Sequence, residues 1–246
     1  MSLEDLRVVV TGGGQDFGRA LAIALAGRGA EVYLSSRNLA SAERTRDDIR
    51  ANGHERVHAF LCDLTSPSSI RAFATEVAEH TDHVDVLVNN GAAWLEGFDL
   101  DSAEDDEIVA TVTAGGAGTI LMTKSFLPLL TASQRPDIVT MVSSAAFPNY
   151  HACRGHPAFY AQKGAQAAFT DILSKRLRPL NVRVISLFPP DFDNADPYDD
   201  EREPLSRTAD DTLTSASVVD CILFAIGQPR DCFIKAFHFE PGPEAR

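Results

Sequence analysis

The sequence predicts a three-layer α/β fold, in which a doubly wound parallel sheet carries helices on both faces, and three observations predict it. Short β-branched runs alternate with longer amphipathic stretches between residues 7 and 188, and a strand regularly followed by a helix returns parallel to its predecessor. A glycine-rich segment, TGGGQDFGRA (11–20), follows the first apolar run directly, as at a strand-to-helix turn. The chain has 246 residues, 44% of them hydrophobic, enough to bury one sizeable core. No internal repeat or long linker interrupts it, so residues 1–246 are expected to form a single domain.

The elements follow in order. RVVV (7–10) is apolar throughout, as a central strand buried on both faces requires, and FGRALAIALAGRG (17–29) has helical spacing. AEVYLSS (30–36) is the second strand and the polar segment 38–52 its helix. The rhythm continues with VHAFLCD (57–63), a helix over 67–80, VDVLVNN (84–90), a helix over 104–130, DIVTMVSS (137–144), a helix over 159–178 and VRVISLF (182–188). After Pro189-Pro190 an acidic stretch runs to about Asp211, followed by a helix, SASVVDCILFAIG (215–227), and a last strand, CFIKAFHFE (232–240).

Composition excludes several functions. A net charge of −13 argues against a nucleic-acid partner, because Lys and Arg lead phosphate binding. Cys62, Cys153, Cys221 and Cys232 show no metal-like spacing, so no metal is expected and free thiols in a reducing compartment are the simpler reading. MSLEDLRVVV carries acids and no apolar leader core, and no apolar run approaches the roughly 20 residues of a membrane helix. The chain reads as cytoplasmic, with no membrane partner.

The glycine turn points to a ligand. Unpaired N–H groups and a partial positive charge at a helix N-terminus suit a pyrophosphate, and a second strand ends in SSRN about twenty residues on. Asp16 stands where close approach to phosphate favours glycine. An Asp there tolerates a left-handed backbone, caps the helix by accepting N–H groups, and is partly neutralised by Arg19. Weakened but real dinucleotide binding is expected.

These residues resemble the short-chain dehydrogenase/reductase family over nearly the whole chain. Thr11, Gly12 and Gly18 match its TGxxxGxG turn, Asp63 its adenine-contacting Asp, and VNNGA (88–92) its NNAG with the last two residues exchanged. Ser144 matches its catalytic serine and Lys163 its lysine. The resemblance implies a Rossmann-type fold and a cofactor site of Thr11, Gly12, Gly14, Phe17, Gly18, Ser36, Arg37, Asp63, Leu64, Asn90, Gly91, Lys163, Pro189 and Asn194. An acidic residue at the end of the second strand binds the ribose 2′-OH of NAD, whereas Arg attracts a 2′-phosphate. Ser36-Arg37 therefore favours NADP(H) over NAD(H).

The catalytic set departs from the family's Asn, Ser, Tyr and Lys. A cation one helical turn from a phenol favours phenolate, hence YxxxK. Here AFYAQK places Phe159 four before Lys163 and Tyr160 only three before. Ser144, Tyr160 and Lys163 form the expected catalytic group, with a bulge or late helix start bringing Tyr160 to its task. The alternatives are that Tyr160 only packs beside Phe159, or that Tyr150, four before Arg154, serves. The loop between Ser144 and this helix is longer than the family's, and it carries His151 and His156. Gly115 replaces the family's Asn and equally suits a close helix contact. Pro190 replaces a Gly, and Asn194 replaces a Thr while keeping an amide for a nicotinamide carboxamide.

Two readings follow. The first is an NADP(H)-dependent oxidoreductase interconverting a carbonyl and an alcohol on a small molecule. The second is a family member without redox turnover, acting as a non-redox enzyme or nucleotide-binding scaffold, since fold does not dictate function. In the family, residues 191–211 form the substrate lid, and their acids here favour a neutral or cationic substrate over an anionic one; a solvated charge run is the alternative. The family also pairs its long helices, and GAQAA (164–168) permits such packing in a homodimer or homotetramer.

Overall fold

The computed structural model describes residues 3, 4, 6–199, 208 and 211–240. Strands β1 (Arg7–Thr11), β2 (Glu31–Ser36), β3 (Val57–Leu61), β4 (Val86–Asn89), β5 (Asp137–Met141), β6 (Arg183–Phe188) and β7 (Ala236–His238) form one sheet, ordered β3-β2-β1-β4-β5-β6-β7. All pairings are parallel. Strand order reverses between β1 and β4, which opens a crevice at their carboxyl ends.

Helices α1 (Asp16–Ala26), α2 (Leu39–Ala51), α3 (Pro67–His80), α4 (Asp105–Val112), α5 (Gly118–Ala132), α6 (Pro157–Arg176) and α7 (Ser215–Gly227) complete three layers. Alternation along β1 separates two cores. Val8 and Val10 pack with Leu21, Leu25 and Ile222 on one face, and Val9 packs with Phe73, Phe126 and Leu87 on the other. Each such side chain, fully buried, stabilises the fold by about 1.5–3 kcal/mol. β5 and β6 are joined by more than their ladder. Asp137 and Arg183 are register partners, the carboxylate accepts from Arg183 Nε at 2.8 Å and Nη2 at 2.6 Å, and Arg230 Nη1 adds a third bond at 2.6 Å.

The structure corrects three expectations of the sequence. The single helix over 104–130 is two, because a wide π-helical turn at Thr113–Ala117 separates α4 from α5. The helix expected from residue 159 starts at Pro157, where the missing N–H costs nothing and His156 Nδ1 accepts from Ala158 N at 3.1 Å. The last strand, expected over 232–240, narrows to β7. Of the acidic segment 191–211, expected as a substrate lid, Asp200, Glu201, Arg202, Glu203, Arg207 and Asp210 lie outside the described residues.

Candidate active site

The glycine turn is built for close backbone approach. Gly12 has φ +67°, and a Cβ there would lie 2.9 Å from Gly91 Cα. A Cβ on Gly18 would lie 2.0 Å from the Gly12 carbonyl oxygen. Thr11 Oγ1 ties this turn to the end of β4, accepting from Asn90 N at 3.0 Å and Gly91 N at 2.9 Å. Asn90 Nδ2 returns bonds to Thr11 O at 3.0 Å and Gly12 O at 3.3 Å. No side chain caps α1, so its first N–H groups are available to an anion.

Asp16 adopts the expected left-handed backbone, φ 48°, but not the expected cap. Gln15 holds the N-cap position, and the Asp16 carboxylate accepts from Gln15 Nε2 at 3.0 Å. Nor does Arg19 neutralise it. From the next turn of α1 the guanidinium pairs instead with Asp48 and Asp196, each at 2.8 Å. Burial works against the Arg19 charge, yet these two carboxylates outweigh it and raise its pKa.

At the end of β2, Ser36 abuts the turn; a Cβ on Gly14 would lie 2.9 Å from Ser36 Oγ. Arg37 is exposed and forms no ion pair with a described residue. Asp63 is already engaged, accepting from Thr65 N at 2.9 Å and Thr65 Oγ1 at 2.7 Å. Leu64 packs over Gly91, with its Cδ1 2.7 Å from where a Cβ there would stand.

Two cavities meet at Asn194. One, of about 480 Å³, runs along Gly14, Asp16 and Arg44. The other, of about 430 Å³ and more apolar, brings together Phe17, Asn90, Lys163, Pro189 and Asn194. Its walls include Trp94 and Phe159, whose rings meet edge to face at 4.8 Å, and Phe192, edge-on to Phe17 at 5.4 Å.

Tyr160 is not brought to this pocket. α6 runs regularly from Pro157, without bulge or late start, and Phe159 takes the wall while Lys163 Nζ stands 5.6 Å from its ring centroid. Tyr160 donates instead to Cys153 O at 2.9 Å. Burial, then the neighbouring Cys153, pushes its phenol above the ordinary value, opposite to what acid–base work at neutral pH favours. Tyr150 also packs into the small cluster of Cys153, Phe159 and Ala145. Ser144 is buried, its N–H held by Pro189 O at 2.9 Å and its Oγ without a partner. Its neighbour Ser143, with φ 130°, is the serine lining the cavity; that backbone region is strained for any residue but glycine.

Glu96 and Gln162 had no signal in the sequence, which marks Arg154 and Asp191 only as a neighbour of Tyr150 and as one acid of the 191–211 segment. Glu96, Arg154 and Asp191 bring charge into the apolar cavity. Gln162 is fully buried, donating to Ala93 O at 2.6 Å while its Oε1 has no partner. A Cβ on Gly115 would fall 1.8 Å from that oxygen, so Gln162 occupies the volume that a side chain at 115 needs.

The family model for short chain dehydrogenase matches residues 7–203. Human short-chain dehydrogenase/reductase 3 is 32% identical over 168 residues, covering 68% of this chain and 54% of that protein. Human retinol dehydrogenase 11 is 31% identical, covering 74% of this chain and 59% of its own length. The chain thus matches little more than half the length of these curated relatives. A metagenomic short-chain oxidoreductase in complex with NADP superposes with a TM-score of 0.80 at 25% identity, covering 98% of this chain and 99% of that one. A glycine turn at the strand-order reversal, a lysine at the crevice and a family match over most of the sequence lead to one assignment: the chain belongs to the short-chain dehydrogenase/reductase family of oxidoreductases.

Proposed function

We propose that the chain interconverts a carbonyl and an alcohol on a small molecule with a nicotinamide cofactor, NADP(H) in preference to NAD(H). The observation that carries this is that Asn194 lines both cavities, the one along the glycine turn and the one that holds Lys163. Gly12, Gly14 and Ser36 at the uncapped N-terminus of α1, with Asn194, Pro189 and Lys163 at the other cavity, would hold a dinucleotide, which would supply the hydride. The chain would orient the substrate oxygen through groups that line the cavity, Ser143 among them, while the partnerless hydroxyl of Ser144 lies buried next to it in sequence. Trp94 and Phe159 give the cavity apolar walls. Glu96 and Asp191 beside Arg154 favour a neutral or cationic substrate.

NADP(H) preference rests on Arg37 and the absence of a carboxylate at the end of β2. The test is titration of the sole tryptophan's fluorescence with NADPH and NADH. NADPH is expected to bind more tightly by about 10- to 100-fold, the worth of a charge-assisted contact, and Arg37→Asp to reverse the order. Equal affinities in both proteins would defeat the assignment.

A second reading, nucleotide binding without redox turnover, is favoured by Phe159 on the pocket wall and by Tyr160 bonded to Cys153 O. Binding of NADPH with no consumption across a panel of ketones and aldehydes supports it; steady consumption excludes it. Assembly into two or four copies belongs to the first reading. Val109, Val112 and Ile172 are exposed on α4 and α6, and nothing stands within 4 Å of a Cβ placed on Gly164. Light scattering of the purified chain measures it.

A further inference from the structure

We propose that Lys163 itself exchanges the proton with the substrate oxygen, so that an amine does the work that a phenol at position 159 would do. The inference rests on the oxidoreductase reading above.

The geometry of Nζ is the first support. It donates to Met141 O at 2.9 Å and to Gln166 Oε1 at 3.1 Å. Gln166 cannot reverse this bond, because its Nε2 donates to Thr119 Oγ1 at 2.9 Å, and Thr119 Oγ1 donates to Gly115 O at 2.7 Å. The chain Lys163, Gln166, Thr119, Gly115 therefore has one direction and ends on a carbonyl, which only accepts. Two positions on Nζ are filled by N–H bonds in the ammonium and in the amine alike. The third carries either an N–H or a lone pair, and it is the only place where the two forms differ.

The surroundings are the second support. Glu96, Arg154 and Asp191 line the same cavity, and Cys153 and Tyr160 flank it. None of them is ion-paired to Nζ. Tyr160 is committed to Cys153 O, and the ring of Phe159, its centroid 5.6 Å from Nζ, stands beside the ammonium in the cavity wall. Burial holds Lys163 down at about 7, with the Cys153 thiol pulling weakly the other way, so both forms are populated at neutral pH.

In the direction of reduction, the third N–H bond of the ammonium breaks, its proton forms the O–H bond of the alcohol, and the electron pair stays on Nζ. The hydride for the carbonyl carbon would come from the nicotinamide cofactor, and a proton from solvent restores the ammonium. Oxidation of an alcohol runs through the amine, whose lone pair takes the hydroxyl proton.

The test is competitive acetylation of the full chain with acetic anhydride from about pH 5 to about pH 10, read by peptide mass spectrometry. Exposed Lys124 and Lys175 serve as internal standards. Lys163 is expected to become half reactive near neutrality, roughly three units before the standards. Gln166→Glu, which sets a carboxylate beside Nζ, is expected to raise that midpoint by at least about one unit. The pH profile of turnover should follow the same midpoint in both proteins. Tyr160→Phe should keep turnover within about twofold, while Lys163→Met loses at least about 100-fold with NADPH still bound. A Lys163 that titrates with the standards, or a Tyr160→Phe variant without turnover, overturns the inference, while steady NADPH consumption by the unaltered chain leaves the oxidoreductase reading intact. Failure to quench Trp94 with NADPH overturns that reading and the inference with it.

Discussion

At the scale of single residues, the pair Gly115 and Gln162 is the most constrained feature of the site. The Gln162 side chain lies where any side chain at 115 would go, because a Cβ there falls 1.8 Å from Oε1, and its Nε2 holds the Ala93 carbonyl just before Trp94. Gly115→Ala is therefore expected to cost about 1–3 kcal/mol by overpacking. Adding Gln162→Ala should recover much of that loss, a coupling that urea denaturation of both single variants and the double one would reveal. Additive losses would show that the contact is relieved elsewhere. The sequence showed that Gly115 replaces an Asn, and that a glycine suits close contact. It did not show Gln162 as the partner, since the two are far apart in the chain and neither belongs to a local pattern. The same limit explains Tyr160: counting back from Lys163 set Phe159 at the family's tyrosine position, but the bond from Tyr160 to Cys153 O depends on the path of an irregular loop that no periodicity encodes.

At the scale of elements, the strand-to-helix turn and the loop after β6 act together. Arg19 of α1 holds Asp48 of α2 and Asp196 of the loop, each at 2.8 Å, and Phe17 meets Phe192 at 5.4 Å, so the described start of the 191–211 segment borders the cleft that begins at Gly14. Elements with unbroken apolar runs and flanking turn residues were legible: β1, β2 and the glycine turn stand close to where the sequence placed them. The break between α4 and α5 was not, because Thr113–Ala117 keeps a helical periodicity and changes only in its hydrogen-bond reach. In the turn, Asp16 carries two costs, a left-handed backbone of φ 48° and an exposed carboxylate facing the cleft. Asp16→Gly relieves the first by about 1 kcal/mol and removes the second. Its midpoint of thermal unfolding should rise by a few degrees, and NADPH should bind severalfold tighter by Trp94 fluorescence. Unchanged affinity would mean that phosphate never approaches Asp16.

For the molecule as a whole, the buried Lys163 makes stability a function of pH. Its ordinary value is 10.5, and burial depresses it to about 7 in the fold. Between those values the unfolded chain binds a proton that the folded chain does not, so unfolding takes up protons and stability rises with pH through that interval. Below about 7 both states are protonated and the fold bears the full cost of the buried ammonium. The upper end of the window is cut short by a second buried group. The Cys62 thiol, raised by burial from 9.0 to about 12, ionises in the unfolded chain first, and stability is lost as pH climbs above about 9. The free energy of unfolding in urea should therefore climb from about pH 7 to about pH 9 by an amount on the order of a few kcal/mol, then level or fall. Lys163→Met should flatten the rising limb and leave the decline above pH 9 in place. Cys62→Ala should do the reverse, extending the rise toward pH 10 while lowering the curve everywhere by its lost packing. A rising limb that survives Lys163→Met would assign the proton uptake to another group and remove the thermodynamic basis for a neutral amine at the centre of the pocket.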